Sequence, residues 1–339
     1  MRVLHVANQS LFRYGEVYYA VERKLSNGFV RNGDYVYGFS DRDIARMQTF
    51  FRSKKIGRKK LNVAFLRAVE NIKPELLVLG HTELLTEDSI QEARKISPGL
   101  SVAQWNVDPI WGEKVDEHLK KRLPHVDAFF CTTAGEWMDP WRTLGAKVHY
   151  LPNPVDPSIE VNRNFEEDKL ALDVVYCGHD YKDKERTKFL EGLKLSAKSQ
   201  GISFENHGCL GAPSIFGASY LEKLSQSAMG LNFSRSNNIP YYSSDRIAQL
   251  TGNGLLTLCQ ETPGIRDLFN DSEMIHFKDL SDLIDKVSYY KKHQEERKRI
   301  ARAGWVKAHK IYNSQRIANF IKEISCGTSL SIEYEWVKY

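Results

Sequence analysis

The strongest constraint on this sequence is an alternation that runs twice, with a proline cluster between the two runs. Val3 to Ala7 is a short apolar strand, followed by a polar turn containing Asn8, Gln9, Ser10 and Gly15. A helix is expected from about Glu16 to Asn32, because Val17, Ala20, Val21, Leu25, Phe29 and Val30 recur at helical spacing. Gly33 would close it as a left-handed cap. A strand over 34–39 follows, then a helix over 61–72 and a strand over 76–79 that ends in Gly80-His81. Thr86 and Asp88 open the next helix, 86–95. Strand 101–105, a helix near 113–122, strand 128–131, helix 134–143 and strand 148–150 complete the first run. Strands that alternate with helices build a parallel sheet covered on both faces.

The segment Leu151-Pro152-Asn153-Pro154-Val155-Asp156-Pro157 cannot continue either element, because proline removes donors and restricts its neighbours. The alternation then restarts. Strand 173–177 runs into Gly178, and helix 184–199, strand 202–206, helix 219–228 and strand 229–233 follow. Helix 244–252, strand 255–259, helix 263–269, strand 274–277 and a long basic helical region over 280–323 end the body. A length of 339 residues is enough for two cores. The expected fold is therefore α/β, with two Rossmann-like doubly wound domains facing a central cleft. They are placed at 1–152 and 153–319, with residues from about 320 to 339 packing back on the first.

Hydrophobic residues make up 42% and charged residues 27%, which excludes a disordered chain. No apolar run approaches the ~20 residues of a membrane-spanning helix, and Met1-Arg2-Val3-Leu4-His5-Val6 reads as a strand and not a leader, so a cytoplasmic protein is expected. The five cysteines, at 131, 177, 209, 259 and 326, lack zinc-ligand spacing and are read as reduced. The net charge of +5 is unevenly spread: eight Lys/Arg lie in 42–60 against Asp43 alone, with Phe50 and Phe51 inside the run. Such a segment suits an anionic membrane surface, and its alternative is a solvated loop. No nucleic-acid motif is present, and nucleic acid is not an expected partner.

The stretch from Asp245 to Leu258 puts a helix, a glycine and an apolar strand in succession. It resembles the donor-binding segment of group 1 glycosyltransferases, most nearly the subgroup related to CgeB. Thr262-Pro263-Gly264, Leu268-Phe269, Glu273 to Phe277, Asp279 to Leu283, Ala301 to Trp305 and Tyr312 to Arg316 are similar to the parts that follow. The likeness is good over about 230 to 323. It implies the GT-B fold, a nucleotide-sugar donor bound by the second half, and transfer to a glycan, glycolipid or other cell-surface precursor. The family's paired glutamates are replaced here: their positions hold Tyr241 and Gln249. Gln249 could still hydrogen-bond a ribose hydroxyl.

Glycosyl transfer must stabilise a departing phosphate and a cationic sugar ring, so arginines, lysines and helix N-termini in the second half are the candidates. Arg246 at a helix start is the first, and Ser234 and Arg235 after a strand are the second, with Tyr242 beside them. The turn holding Gly178, His179 and Lys182 is the third. A general base for the acceptor would come from Asp108, His81 or Glu16 in the first half. Each also has a plain role: Asp108 can cap a turn, His81 can be a loop histidine, and Glu16 can complement a helix dipole. No cofactor and no metal are expected. A nucleotide-sugar epimerase or hydrolase, and a non-catalytic sugar-nucleotide or glycan binder, are the alternative functions on the same scaffold.

Overall fold

The computed structural model describes residues 1–107, 113–180, 183–234 and 238–339, the side chains of 113–116 excepted. The chain divides into two units: a forward unit of Met1–Pro154 with Asn313–Tyr339, and a rear unit of Val155–Tyr312.

In chain order the forward unit contains β1 (Arg2–Ala7), α1 (Val21–Arg31), β2 (Tyr35–Ser40), α2 (Asp41–Met47), α3 (Arg58–Ile72), β3 (Leu76–Leu79) and α4 (Glu87–Ile96). It continues with β4 (Ser101–Asn106), α5 (Glu113–Arg122), β5 (Ala128–Cys131), α6 (Asp139–Arg142) and β6 (Lys147–Tyr150). The six strands are parallel in the order β2-β1-β3-β4-β5-β6. Sheet growth therefore reverses between β1 and β3, and in such sheets ligands bind at the carboxyl ends beside that reversal. Gly80 is needed where β3 ends, because a Cβ there would lie 2.6 Å from the Trp105 indole.

The rear unit contains β7 (Leu172–Cys177), α7 (Lys184–Ser199), β8 (Phe204–His207), α8 (Gly217–Ser225), β9 (Ser227–Asn232), α9 (Asp245–Gly252) and β10 (Leu256–Gln260). Then come α10 (Ile265–Leu268), β11 (Ile275–Phe277), α11 (Leu280–Lys292) and α12 (Gln294–Lys310). Its strands are also parallel, ordered β11-β10-β9-β7-β8, so this sheet reverses between β7 and β9. The last helix, α13 (Ser314–Cys326), belongs to the forward unit, so the return starts at Asn313 and not near 320.

Several elements differ from the sequence reading. The helix expected from Glu16 begins at Val21; Leu11–Arg13 form a 3-10 turn, and Ser10, Tyr14 and Gly15 have φ of 51°, 48° and 95°, which no helix accepts. The basic run 42–60 is not one loop. Asp41 and Asp43 favour a helix start there, and Gly57 lets the following turn close, since a Cβ would sit 1.9 Å from the Ala45 carbonyl oxygen. The region 280–323 is three helices, each with its own boundary. Asp279 caps α11 by accepting from Asp282 N, and Asn313 caps α13 by accepting from Arg316 N.

Candidate functional site

At the reversal of the rear sheet, β7 ends in Cys177-Gly178 and β9 in Asn232-Phe233. Arg246, in the first turn of α9, lies across both ends. Its Nε donates to the Cys177 carbonyl at 2.9 Å, and its Nη1 donates to Asn232 Oδ1 and to the Phe233 carbonyl, both at 3.3 Å. The guanidinium stands 5.0 Å from the centre of the Tyr176 ring. Gly178 makes this possible, because a Cβ there would lie 2.6 Å from Arg246 Nη2. Ser244 Oγ fixes Asn232 by donating to its Oδ1 at 2.7 Å.

A second arginine, passed over in the sequence, comes to the same place. Arg186, in the first turn of α7, is buried. Its Nε donates to Tyr176 Oη at 3.1 Å, and its Nη2 to that hydroxyl and, at 2.7 Å, to the Phe233 carbonyl. Two guanidinium groups thus flank Tyr176 and share the Phe233 carbonyl. Among the described residues neither makes an ion pair with a carboxylate. Asp183 caps α7 by accepting from the backbone N–H groups of Glu185 and Arg186, so this helix also presents its N-terminus here. The sequence signal that could have found Arg186 is its position: an arginine just past a helix cap, after a strand that ends in glycine.

The other rear candidates are less engaged. Gln249 is buried and its amide bonds inside the unit: Oε1 accepts from Tyr220 Oη and Nε2 donates to Asp245 Oδ2, both at 2.5 Å. These bonds tie Asp245 and Tyr220 to the start of α9 and leave the amide a second N–H and a second lone pair. His179 is exposed, with Nδ1 3.2 Å from the Gly208 carbonyl. Ser234 and Tyr242 are half-buried near the end of β9 and before α9. Tyr241, where the resembling family has a glutamate, has φ 58° and packs on Gly264, its hydroxyl donating to Asp267 at 2.8 Å. Asp108, Lys182 and Arg235 lie outside the described residues. Burial pushes the thiols of Cys177 and Cys259 up to about 12 and about 11, the Arg246 charge notwithstanding, so neither is a nucleophile near neutral pH.

In the forward unit, His81 follows β3, half-buried, its ring edge-on to Trp105 at 5.6 Å between centres. Glu16 does not start a helix; it is exposed and paired with Arg13 at 2.8 Å, a surface contact of small energetic weight. One acidic pair with Asp-x-Asp spacing, Asp41-Arg42-Asp43, was also passed over. On a helix such residues point apart, and Asp43 is committed to Ser40 Oγ at 2.5 Å and the Leu11 N–H at 2.7 Å. Among the described residues no three His, Cys, Asp or Glu side chains gather as a metal site would.

Residues 186–323 match the family described as Glycosyl transferase-like. None of the curated proteins matches by sequence. Among solved structures, HepE from Anabaena, determined with UDP and glucose, gives a TM-score of 0.56 at 10% identity, over 95% of this chain and 98% of that one. AviGT4, a glycosyltransferase involved in avilamycin A biosynthesis, gives 0.58 at 12%, over 97% and 99%. A putative UDP-N-acetylglucosamine 2-epimerase from Listeria monocytogenes gives 0.55 at 9%, over 98% and 99%. At such identities the likeness is one of fold: two Rossmann-like units of the GT-B class.

Proposed function

We propose that this protein transfers a sugar from a nucleotide-sugar donor, held by the rear unit, to a glycan, glycolipid or other cell-surface precursor. The observation that carries this reading is the pair Arg186 and Arg246 at the β7/β9 reversal, beside the α7 N-terminus and without a carboxylate partner among the described residues. Cations withdrawn from water need an anion to offset the loss of hydration. A nucleoside diphosphate supplies one, and the same groups would stabilise the charge that develops on it as the sugar leaves. HepE, on the same fold, was determined with UDP, which makes UDP the first probe. The residue string from Asp245 to Arg316 favours the CgeB-like subgroup.

Calorimetric titration with UDP, GDP and CMP tests the donor site. One of them is expected to bind, and Arg246→Ala to weaken it by about tenfold or more, the loss of a charge-assisted hydrogen bond. Equal affinity in the variant would remove Arg246 from the site. Analysis of products from UDP-glucose, with and without candidate acceptors, separates transfer from epimerisation and hydrolysis. Turnover is expected to persist in excess EDTA, no resident metal being required.

The acceptor side has a membrane-facing candidate. Phe50 and Phe51 are 95% and 81% exposed, and Met47 and Ile56 are also open. Lys54, Lys55 and Lys59, close to them in the sequence, are all exposed. Apolar tips set among cations fit the interface of an anionic bilayer, at the inner face of the cytoplasmic membrane. No helix of the described residues is long and apolar enough to cross a membrane.

A further inference from the structure

At the amino ends of β4, β5 and β6, which are neighbours in the forward sheet, lies a cleft of about 780 Å³ walled in part by the ends of α4 and α13. It is made by the forward unit alone, at the opposite end of the sheet from the carboxyl ends where such sheets usually bind ligands. Its charges are nearly balanced. Arg94 Nη1 donates to the Leu100 carbonyl at 2.7 Å and its Nη2 to Asp127 Oδ2 at 2.9 Å, and that oxygen also accepts from the Val102 N–H at 2.7 Å. Lys147, exposed at the start of β6, holds its Nζ 3.9 Å from where a Cβ on Gly327 would lie, at the carbonyl end of α13, whose dipole favours a cation there. His125 Nδ1 is 3.0 Å from Gln91 Nε2. Ser325 lines the wall, its hydroxyl buried and, among the described residues, without a hydrogen-bond partner, a cost that a ligand hydroxyl would offset.

These groups narrow the ligand by elimination. An anion would meet the Asp127 carboxylate and the carbonyl end of α13. An apolar molecule would find little to cover, since Leu100 and Val126 in the lining are themselves buried. A metal ion would find too few ligands, because no three His, Cys, Asp or Glu side chains gather among the described residues. What the cleft does offer is hydrogen bonding of both kinds: an ammonium donor at Lys147, a carboxylate acceptor at Asp127 Oδ1, and at Ser325 a hydroxyl that can do either. Sugar hydroxyls donate and accept at once, and the volume suits a short run of sugar rings. We infer that this cleft binds a neutral oligosaccharide, a stretch of the acceptor glycan away from its reacting end. The class of ligand follows from the cleft; that the glycan is the acceptor rests on the transfer reading above. A chain gripped here stays with the protein between one transfer and the next.

Labelled protein on a printed array of neutral oligosaccharides tests this, alongside calorimetric UDP binding and thermal melting. The parent is expected to label neutral oligosaccharides, and Lys147→Ala combined with Ser325→Ala to weaken that binding by about tenfold or more. Melting and UDP affinity should stay as in the parent, because Lys147 is exposed and the Ser325 hydroxyl has no bond to lose among the described residues. Arg246→Ala should label the array as the parent does, which separates the cleft from the donor site. A parent that labels nothing, or a double variant that labels as the parent does, overturns the inference. Binding of inorganic phosphate that Lys147→Ala abolishes overturns it as well, since the cleft would then be an anion site. So does a double variant that melts lower and loses UDP affinity, which marks a structural role. If the parent binds oligosaccharides through the cleft but binds no UDP, the transfer reading falls and the glycan site stands without it.

Discussion

Gly178 is bare because two side chains already fill the space where its Cβ would be: Arg246 Nη2 at 2.6 Å and Tyr176 Oη at 2.9 Å. Its backbone is not left-handed, so alanine is refused by contact and not by conformation. Gly178→Ala should displace the Arg246 guanidinium and weaken UDP binding by about tenfold, roughly 1.4 kcal/mol, with the unit still folded; calorimetry and circular dichroism read the two separately. His5 makes a different residue-scale point. It is buried in β1, Trp105 Nε1 donates to its Nε2 at 3.2 Å, and the proton on Nδ1 goes to Ser26 Oγ at 2.8 Å. Burial, helped by the Arg23 charge, lowers it from 6.5 to about 3. A histidine held neutral in the fold protonates first in the unfolded chain. Its contribution is therefore complete above pH 6.5 and is lost as the pH falls toward 3. In His5→Gln, the fall in urea midpoint from pH 6.5 to about 5 should be shallower than in the parent.

Among the elements, the pairing of α1 with α13 is the most demanding. A Cβ on Gly28 would lie 2.1 Å from the Ser314 carbonyl oxygen, backbone that cannot swing away. Gly28→Ala should destabilise the forward unit by about 1–3 kcal/mol while UDP affinity at the rear unit is unchanged, which melting and calorimetry would show. Elements like these were legible where a period of hydrophobic residues ran unbroken: α7 occupies Lys184–Ser199, the span its pattern gave. They were illegible where backbone conformation decided. Val17, Ala20 and Val21 carry the helical period, but Tyr14 and Gly15 in left-handed conformation start the helix only at Val21. In 42–60 the density of charge hid a helix whose first-turn acids, Asp41 and Asp43, were the available sign.

For the whole molecule, the two α/β sheets followed from the repeated alternation and the prolines between its runs, because period and chain breakers are local properties of sequence. The site was only partly legible, because it is made by convergence. Arg246 was readable from its place at a helix start; Arg186, sixty residues earlier by number, meets it only because β7 and β9 are neighbours in the sheet. The bonds of Gln249 to Tyr220 and Asp245 were likewise invisible in the sequence, being made by side chains on two helices and not by spacing. Binding to vesicles is a property of the intact protein. Replacing Phe50 and Phe51 with serine, or reversing the charge of Lys54, Lys55 and Lys59, should each lower co-sedimentation with phosphatidylserine-containing vesicles, while melting stays as in the parent, since all five are exposed. Unaltered sedimentation would make the segment an ordinary surface turn.

The forward unit is written in two instalments, and the rear unit is translated between them. Phe320 and Trp336, both fully buried, arrive last; until then Phe130, which Phe320 meets edge-on at 5.8 Å, lacks that cover. A nascent chain must therefore carry an unfinished apolar face through the synthesis of an entire second sheet. Assembly on the ribosome cannot proceed strictly front to back: the first strands made belong to the unit completed last, and chaperone occupancy should persist until α13 emerges.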